Sequence, residues 1–236
     1  MVSYGQGFRS LDAQHLRDGE SSPYSKVSSA EAGLRAHLHD DRYVATLAFF
    51  ETRVGNELVF DPVAGGLVTQ GASVRRGLVA SVISRPLPWL LSSLSFSVDR
   101  ATYEAATADG SHFVPSVPPL LFRADLSARR PLASIAGREV EGRARAGFTL
   151  LSGRHLTDAI VGAPQSILNG GASARYGAVE LGVDVYNVLD LRYPDDEAVY
   201  ISNWSNTGGQ PPASVARHIT AAPPRTVLGT LSLSLL

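Results

Sequence analysis

The sequence predicts an all-β protein whose antiparallel strands run up and down as a transmembrane β-barrel. Apolar and polar residues alternate with period two in many segments, as they do in strands with two different faces. Several segments are about nine residues or longer, the length that a tilted strand needs to cross a bilayer. Short and long connections alternate between the segments, which is the layout of outer-membrane barrels.

Ten segments are predicted as strands. The chain opens with a strand-like segment in its first ten residues. Weaker alternation predicts strands in residues 30–38, 43–52, 74–84, 142–151 and 172–176. Stronger alternation predicts strands in residues 93–99, 120–129, 179–185 and 226–235.

The two faces of these strands differ in chemistry. Val183 and Asp184 are neighbours on one strand, so their side chains point to opposite faces. We expect the apolar face to meet lipid and the polar face to line the barrel lumen. Seven charged residues have the polar parity and are predicted to face the lumen and a packed plug: Arg123, Asp125, Arg129, Arg143, Arg145, Glu180 and Asp184.

The connections predict which end of the barrel is which. Short turns are expected in residues 39–42, 85–89, 131–138 and 177–178. Long polar or Gly/Pro-rich loops are expected in residues 10–26, 55–72, 104–118, 153–165 and 190–223. Ten strands connected in this way place both chain ends on the short-turn side. Aromatic residues stand at several short-turn ends, where an interfacial girdle is expected: Tyr43, Trp89 and Tyr176.

The amino-acid composition limits the classes of function that the protein can have. The formal net charge of −1 over 236 residues gives no sign of a nucleic-acid partner, and the lack of cysteine excludes disulfides and thiolate metal sites. No run of apolar residues is long enough for a transmembrane helix. The first residues do not have the pattern of a signal peptide, so we expect them to begin part of a longer exported protein.

Enzyme signatures are weak, and the sequence predicts neither catalytic residues nor a cofactor. No nucleophile elbow, phosphate-binding loop or dinucleotide-binding fingerprint occurs. The cluster formed by His37, His39, Asp40 and Asp41 is the strongest candidate for a metal site. Because it falls in a predicted short turn, where polar residues are ordinary, no metal site is predicted there.

Five ordered motifs resemble the C-terminal half of the barrel of TonB-dependent receptors. They lie in residues 4–10, 31–35, 76–78, 187–193 and 223–233. The resemblance implies that residues 1–236 supply about ten C-terminal strands of a barrel of about 22 strands. It places the plug domain and the N-terminal strands outside this sequence. It further implies a cell outer-membrane protein that imports a scarce ligand with energy from the TonB system, an iron-siderophore or similar chelate being the default ligand.

Ligand recognition is expected in the long loops, where aromatic and amide side chains can stack on and hydrogen-bond a polar organic ligand. The candidate residues are His112, Phe113, Tyr200, Asn203, Trp204 and Asn206. The expected partners are outer-membrane lipid, the plug, the TonB system and a small ligand. Two alternatives remain open: a complete ten-stranded outer-membrane barrel, acting as a porin or surface hydrolase, and a soluble β-sandwich binding module.

Overall fold

Fourteen β-strands make up the regular structure in a computed structural model that describes residues 1–10, 24–61, 66–107, 110–202 and 214–234. In chain order they are β1 Val2–Ser10, β2 Tyr24–Leu38, β3 Tyr43–Val54, β4 Leu58–Asp61, β5 Gly66–Thr69, β6 Ser73–Leu87, β7 Leu90–Tyr103, β8 Leu120–Ile135, β9 Arg138–Leu151, β10 Gln165–Tyr176, β11 Val179–Tyr186, β12 Pro194–Ser202, β13 Ser214–Ala221 and β14 Thr226–Leu233. Among the described residues, no helix has both the length and the apolar character of a membrane span.

Ten of the strands form one antiparallel sheet in the order β1-β2-β3-β6-β7-β8-β9-β10-β11-β14. This confirms the predicted all-β, up-and-down arrangement and its ten strands. In the described residues, β1 pairs with β2 alone and β14 with β11 alone, so the sheet is open at both edges. The sheet forms a single layer, which disfavours the β-sandwich alternative.

The register separates the residues into the two predicted faces. Val183 stands opposite Ala172 on β10 and Gly229 on β14, and the same face continues through Leu94 of β7. We call this the apolar face, and the opposite one the polar face. Val183 is 49% exposed, whereas its neighbour Asp184 is 8% exposed. An apolar face left open to its surroundings is what a lipid-facing barrel wall requires.

Short turns join the strands at one end of the sheet, which we call the short-turn end. The β2–β3 turn has positive φ angles at His39, Asp40 and Asp41, and the β8–β9 turn has them at Ala136 and Gly137. The prediction of a turn across residues 131–138 was too wide, because β8 continues through Pro131 to Ile135. A shift of register between Pro131 and Ala133 accommodates the proline, which has no N–H to donate.

Two long connections contain hairpins that the sequence did not predict. Within residues 55–72, strands β4 and β5 pair with each other, and within residues 190–223, β12 pairs with β13. These hairpins lie at the opposite end of the sheet, which we call the long-connection end. A small buried cluster lies there too, formed by Ala101, Tyr103 and Val114.

Candidate functional site

A cavity of about 640 Å³ lies on the polar face at the long-connection end. The sheet contributes Arg9 of β1, Arg75 of β6 and Tyr103 of β7, all of which have polar-face register. Both hairpins and the connections after β7 and β9 complete its wall. Residues far apart in the sequence therefore meet around one space, which is the geometry of a ligand site.

A buried carboxylate stands in the wall of this cavity. Glu57 is 2% exposed, accepts a hydrogen bond from Ser73 Oγ at 2.5 Å and pairs with an Arg75 guanidinium nitrogen at 2.9 Å. A buried charge is tolerated when it is paired and hydrogen-bonded in this way. The arrangement joins the start of the β4–β5 hairpin to the sheet. Arg75 Nε is also buried, and it has no hydrogen-bond acceptor among the described residues.

A second buried carboxylate, Glu197 of β12, holds the other hairpin. It pairs with Arg217 of β13 and accepts a hydrogen bond from the backbone N–H of Ala163 at 2.8 Å. Glu197 therefore connects the β12–β13 hairpin to the connection after β9. Neither Glu57 nor Glu197 was predicted, because each lies in a segment read as a loop and is buried only by tertiary contacts.

Two connections contact each other beside the cavity. The rings of Phe113 and His155 stack with centroids 4.0 Å apart. The Asp158 carboxylate accepts backbone hydrogen bonds from Phe113 at 3.1 Å and His112 at 2.8 Å, and it contacts His112 Nδ1 at 2.9 Å. The backbone N–H of Phe113, followed by the bonds from His112, holds the pKa of Asp158 below its usual range.

This contact should weaken in acid. Because the pKa of Asp158 is lowered by folding, the stabilisation is present above the ordinary aspartate pKa of about 4 and is lost as pH falls through the lowered value. Hydrogen exchange of the segment containing Phe113, corrected for its intrinsic rate, should show protection falling in acid. The Asp158→Asn variant should show less protection near neutral pH and little further change. The same acid loss in both proteins would contradict the assignment.

Of the predicted ligand-binding residues that the structure describes, only Phe113 lines the cavity. Phe113 lines the cavity, whereas His112 is occupied with Asp158 at its edge. The ring of Tyr200 stacks on His218, with centroids 3.5 Å apart. Asn203, Trp204 and Asn206 lie outside the described residues. In the described part of the chain, no three His, Cys, Asp or Glu residues are grouped to hold a metal, and His37 contacts Asp41 at 2.6 Å.

The seven predicted lumen residues all lie on the polar face. Glu141, which the sequence analysis did not single out, connects some of them, because it pairs with Arg129 at 2.5 Å and with Arg143 at 2.9 Å. Arg143 in turn lies 3.8 Å from Glu180. Positive and negative side chains from β8, β9 and β11 thus alternate along the polar face, where their charges are paired.

Another pair crosses over a glycine. Arg145 of β9 and Asp184 of β11 both stand opposite Gly171 of β10, and the guanidinium contacts the carboxylate at 2.5 Å. A Cβ atom at Gly171 would meet the Asp184 carboxylate and Arg145 Nε. The missing side chain therefore leaves the space in which the pair forms. That these residues line a lumen and meet a plug remains a prediction.

Comparison with known proteins identifies the family. The family model described as TonB dependent receptor-like, beta-barrel matches residues 1–215. The chain belongs to this family. No curated protein sequence matches the chain. TonB-dependent receptor barrels are outer-membrane proteins, and the family consists of receptors and transporters rather than enzymes.

Solved TonB-dependent receptors have the same fold. BauA, the ferric preacinetobactin receptor from Acinetobacter baumannii, superimposes with a TM-score of 0.67 at 16% identity over 98% of this chain and 33% of its own. The ferric yersiniabactin uptake receptor FyuA from Yersinia pestis gives 0.66 at 16% identity over 99% and 34%. FpvA from Pseudomonas aeruginosa, solved with bound pyoverdines, gives 0.63 at 15% over 98% and 30%. The chain thus spans about one third of the length of these receptors.

Proposed function

We propose that this chain forms part of the barrel wall of an outer-membrane receptor that takes up a scarce metal chelate with energy delivered through TonB. Membership of the receptor family supports the transport class. Three receptors of similar structure support a ferric chelate as the ligand: the ferric preacinetobactin receptor BauA, the ferric yersiniabactin uptake receptor FyuA, and FpvA, which was solved with bound pyoverdines.

The cavity at the long-connection end carries the proposal. Long connections lie outside the cell in barrels of this type, so the cavity is the first enclosed space that an external ligand meets. Arg9, Arg75 and the Phe113 ring line it. Cationic and aromatic side chains suit a chelate that presents oxygen atoms and flat rings.

The proposal also covers the parts of the receptor that lie outside this sequence. Residues 1–236 are assigned to the C-terminal portion of the barrel, and the plug is assigned to the lumen against the polar face. The open edges at β1 and β14 require further strands, because an unpaired strand edge inside a membrane leaves backbone groups unsatisfied. This requirement disfavours a complete ten-stranded barrel. The chain is assigned no enzymatic activity and no cofactor.

Uptake of radioactive iron tests the function. Cells expressing the protein at its natural length should accumulate iron from one or more members of a panel of catecholate, hydroxamate and mixed ferric chelates. Phe113→Ala should lower uptake by roughly fivefold, the effect of losing about 1 kcal/mol of binding. Phe96→Ala is the matched control, because Phe96 lies on the apolar face away from the cavity. Equal uptake by both variants, or uptake that does not depend on TonB, would refute the proposal.

A further inference from the structure

A second cavity, of about 910 Å³, forms a groove on the apolar face near the short-turn end. It crosses β8, β9, β10, β11 and β14, far from the ligand cavity described above. Its floor follows one row of paired residues in which four of the five are small: Ala128, Ala144, Ala172, Val183 and Gly229. Small side chains in a row depress the surface of the sheet between larger neighbours.

Larger residues border this groove. Leu132, Leu181 and Leu231 line it and are exposed, so its walls are aliphatic. Two rows toward the long-connection end, Phe148 and Leu168 stand beside each other and fill the face. The groove is therefore confined to the short-turn half of the apolar face.

One cation lies at the end of the groove. Arg130 of β8 lines it, and its guanidinium lies 5.6 Å from the centre of the Trp89 ring. Among the described residues, Arg130 forms no ion pair with a carboxylate, and its side chain is exposed. An arginine over an aromatic ring, at the level of the short turns, lies where the membrane interface is expected.

We infer that this groove binds one membrane phospholipid, with an acyl chain along the row of small residues and the phosphate on Arg130. The inference rests on the proposed membrane location. Five adjacent strands span about 19 Å at roughly 4.8 Å each, and an acyl chain covers half of the hydrocarbon core, about 15 Å. The groove therefore has the length of one chain. The uncompensated guanidinium complements a phosphate and would remain unpaired against the apolar surface of a second barrel.

Native mass spectrometry of the protein at its natural length, extracted from the outer membrane and stripped of lipid, tests this inference. Phosphatidylglycerol should add as one tightly held molecule. Arg130→Ala should weaken that binding about tenfold, the loss expected for one charge-assisted hydrogen bond. Ala144→Leu should weaken it too, by filling the floor. The matched controls are Arg138→Ala, at the same end but outside the groove, and Ala124→Leu, on the same face but outside the floor.

Several outcomes would overturn the inference. Equal weakening by Arg130→Ala and Arg138→Ala would indicate a general basic rim. Displacement of the lipid by inorganic phosphate alone would show that the acyl chain contributes nothing, and a dimer blocked by Ala144→Leu would assign the groove to a second copy. Iron uptake measured on the same variants separates the two proposals. Retained uptake with lost lipid binding supports the site, whereas absence of the protein from the outer membrane contradicts the proposed function itself.

Discussion

Replacing Val183 with lysine is expected to cost about 2–4 kcal/mol of folding free energy in a bilayer, because the new charge would lie in the hydrocarbon region. Val183 lies on the apolar face, four residues from the start of β11, which is roughly 13 Å along the strand at about 3.3 Å per residue. The measurement is the folded fraction of the protein at its natural length in bilayers at increasing denaturant.

Lysine on the other face provides the control. Asp184→Lys is expected to disturb assembly less, because its side chain would face the lumen, although it also deprives Arg145 of a partner. Thr230→Lys is the cleaner comparison, since Thr230 lies on the polar face of β14, opposite Gly182. If Thr230→Lys folds as poorly as Val183→Lys, the assignment of the faces is wrong.

Removing the guanidinium of Arg75 is expected to cost about 2–3 kcal/mol in the region around the β4–β5 hairpin. Arg75→Ala leaves the Glu57 carboxylate buried beside Ser73 without its countercharge, and breaking such a pair is expensive. The lower part of the usual range applies because the Arg75 side chain is 32% exposed. Hydrogen exchange of residues 58–61 and 66–69 measures the free energy of opening.

The adjacent arginine is a matched control. Arg76 points to the opposite face and pairs there with Glu51 at 2.7 Å, and its side chain is 65% exposed. Exposed ion pairs contribute little to stability, so Arg76→Ala should leave the exchange of the hairpin unchanged. The Arg75→Ala variant should also take up less iron chelate, because Arg75 lines the cavity. Equal exchange in the two variants would show that Glu57 does not depend on Arg75.

The sequence predicted the strands and faces because both follow from a local pattern. The alternation of apolar and polar residues in residues 179–185 is visible from neighbouring residues alone. The strand register places Val183 and Asp184 on opposite faces of the sheet, as that alternation predicts. The short strands β4 and β12 were missed. β4 has only four residues, too few to show an alternation, and the first residues of β12, Pro194 to Glu197, have no apolar member. Pro131 was predicted as a turn residue, and only the register shift beside it lets β8 continue.

The candidate site was predicted less completely, for a related reason. Phe113 was identified because an aromatic residue in a long loop is informative by itself. Nothing in the sequence indicated that Glu57 and Glu197 are buried, because the sequence does not show which arginine a carboxylate pairs with. Their partners stand 18 and 20 residues away along the chain. Glu141 was different, since it directly precedes the predicted strand of residues 142–151, and continuing the alternation by one residue would have placed it beside Arg143.

The ion pair over Gly171 has a consequence for how the sequence can diverge. Arg145 reaches Asp184 only because position 171 has no side chain. A substitution at any one of these three positions, which lie on three neighbouring strands, therefore affects the other two. A side chain introduced at position 171 would displace the ion pair. If one of the two charges were neutralised, no ion pair would form over position 171, and a glycine would no longer be needed there. Among related barrels, we therefore expect positions 145, 171 and 184 to covary, with glycine at 171 retained where both charges are present.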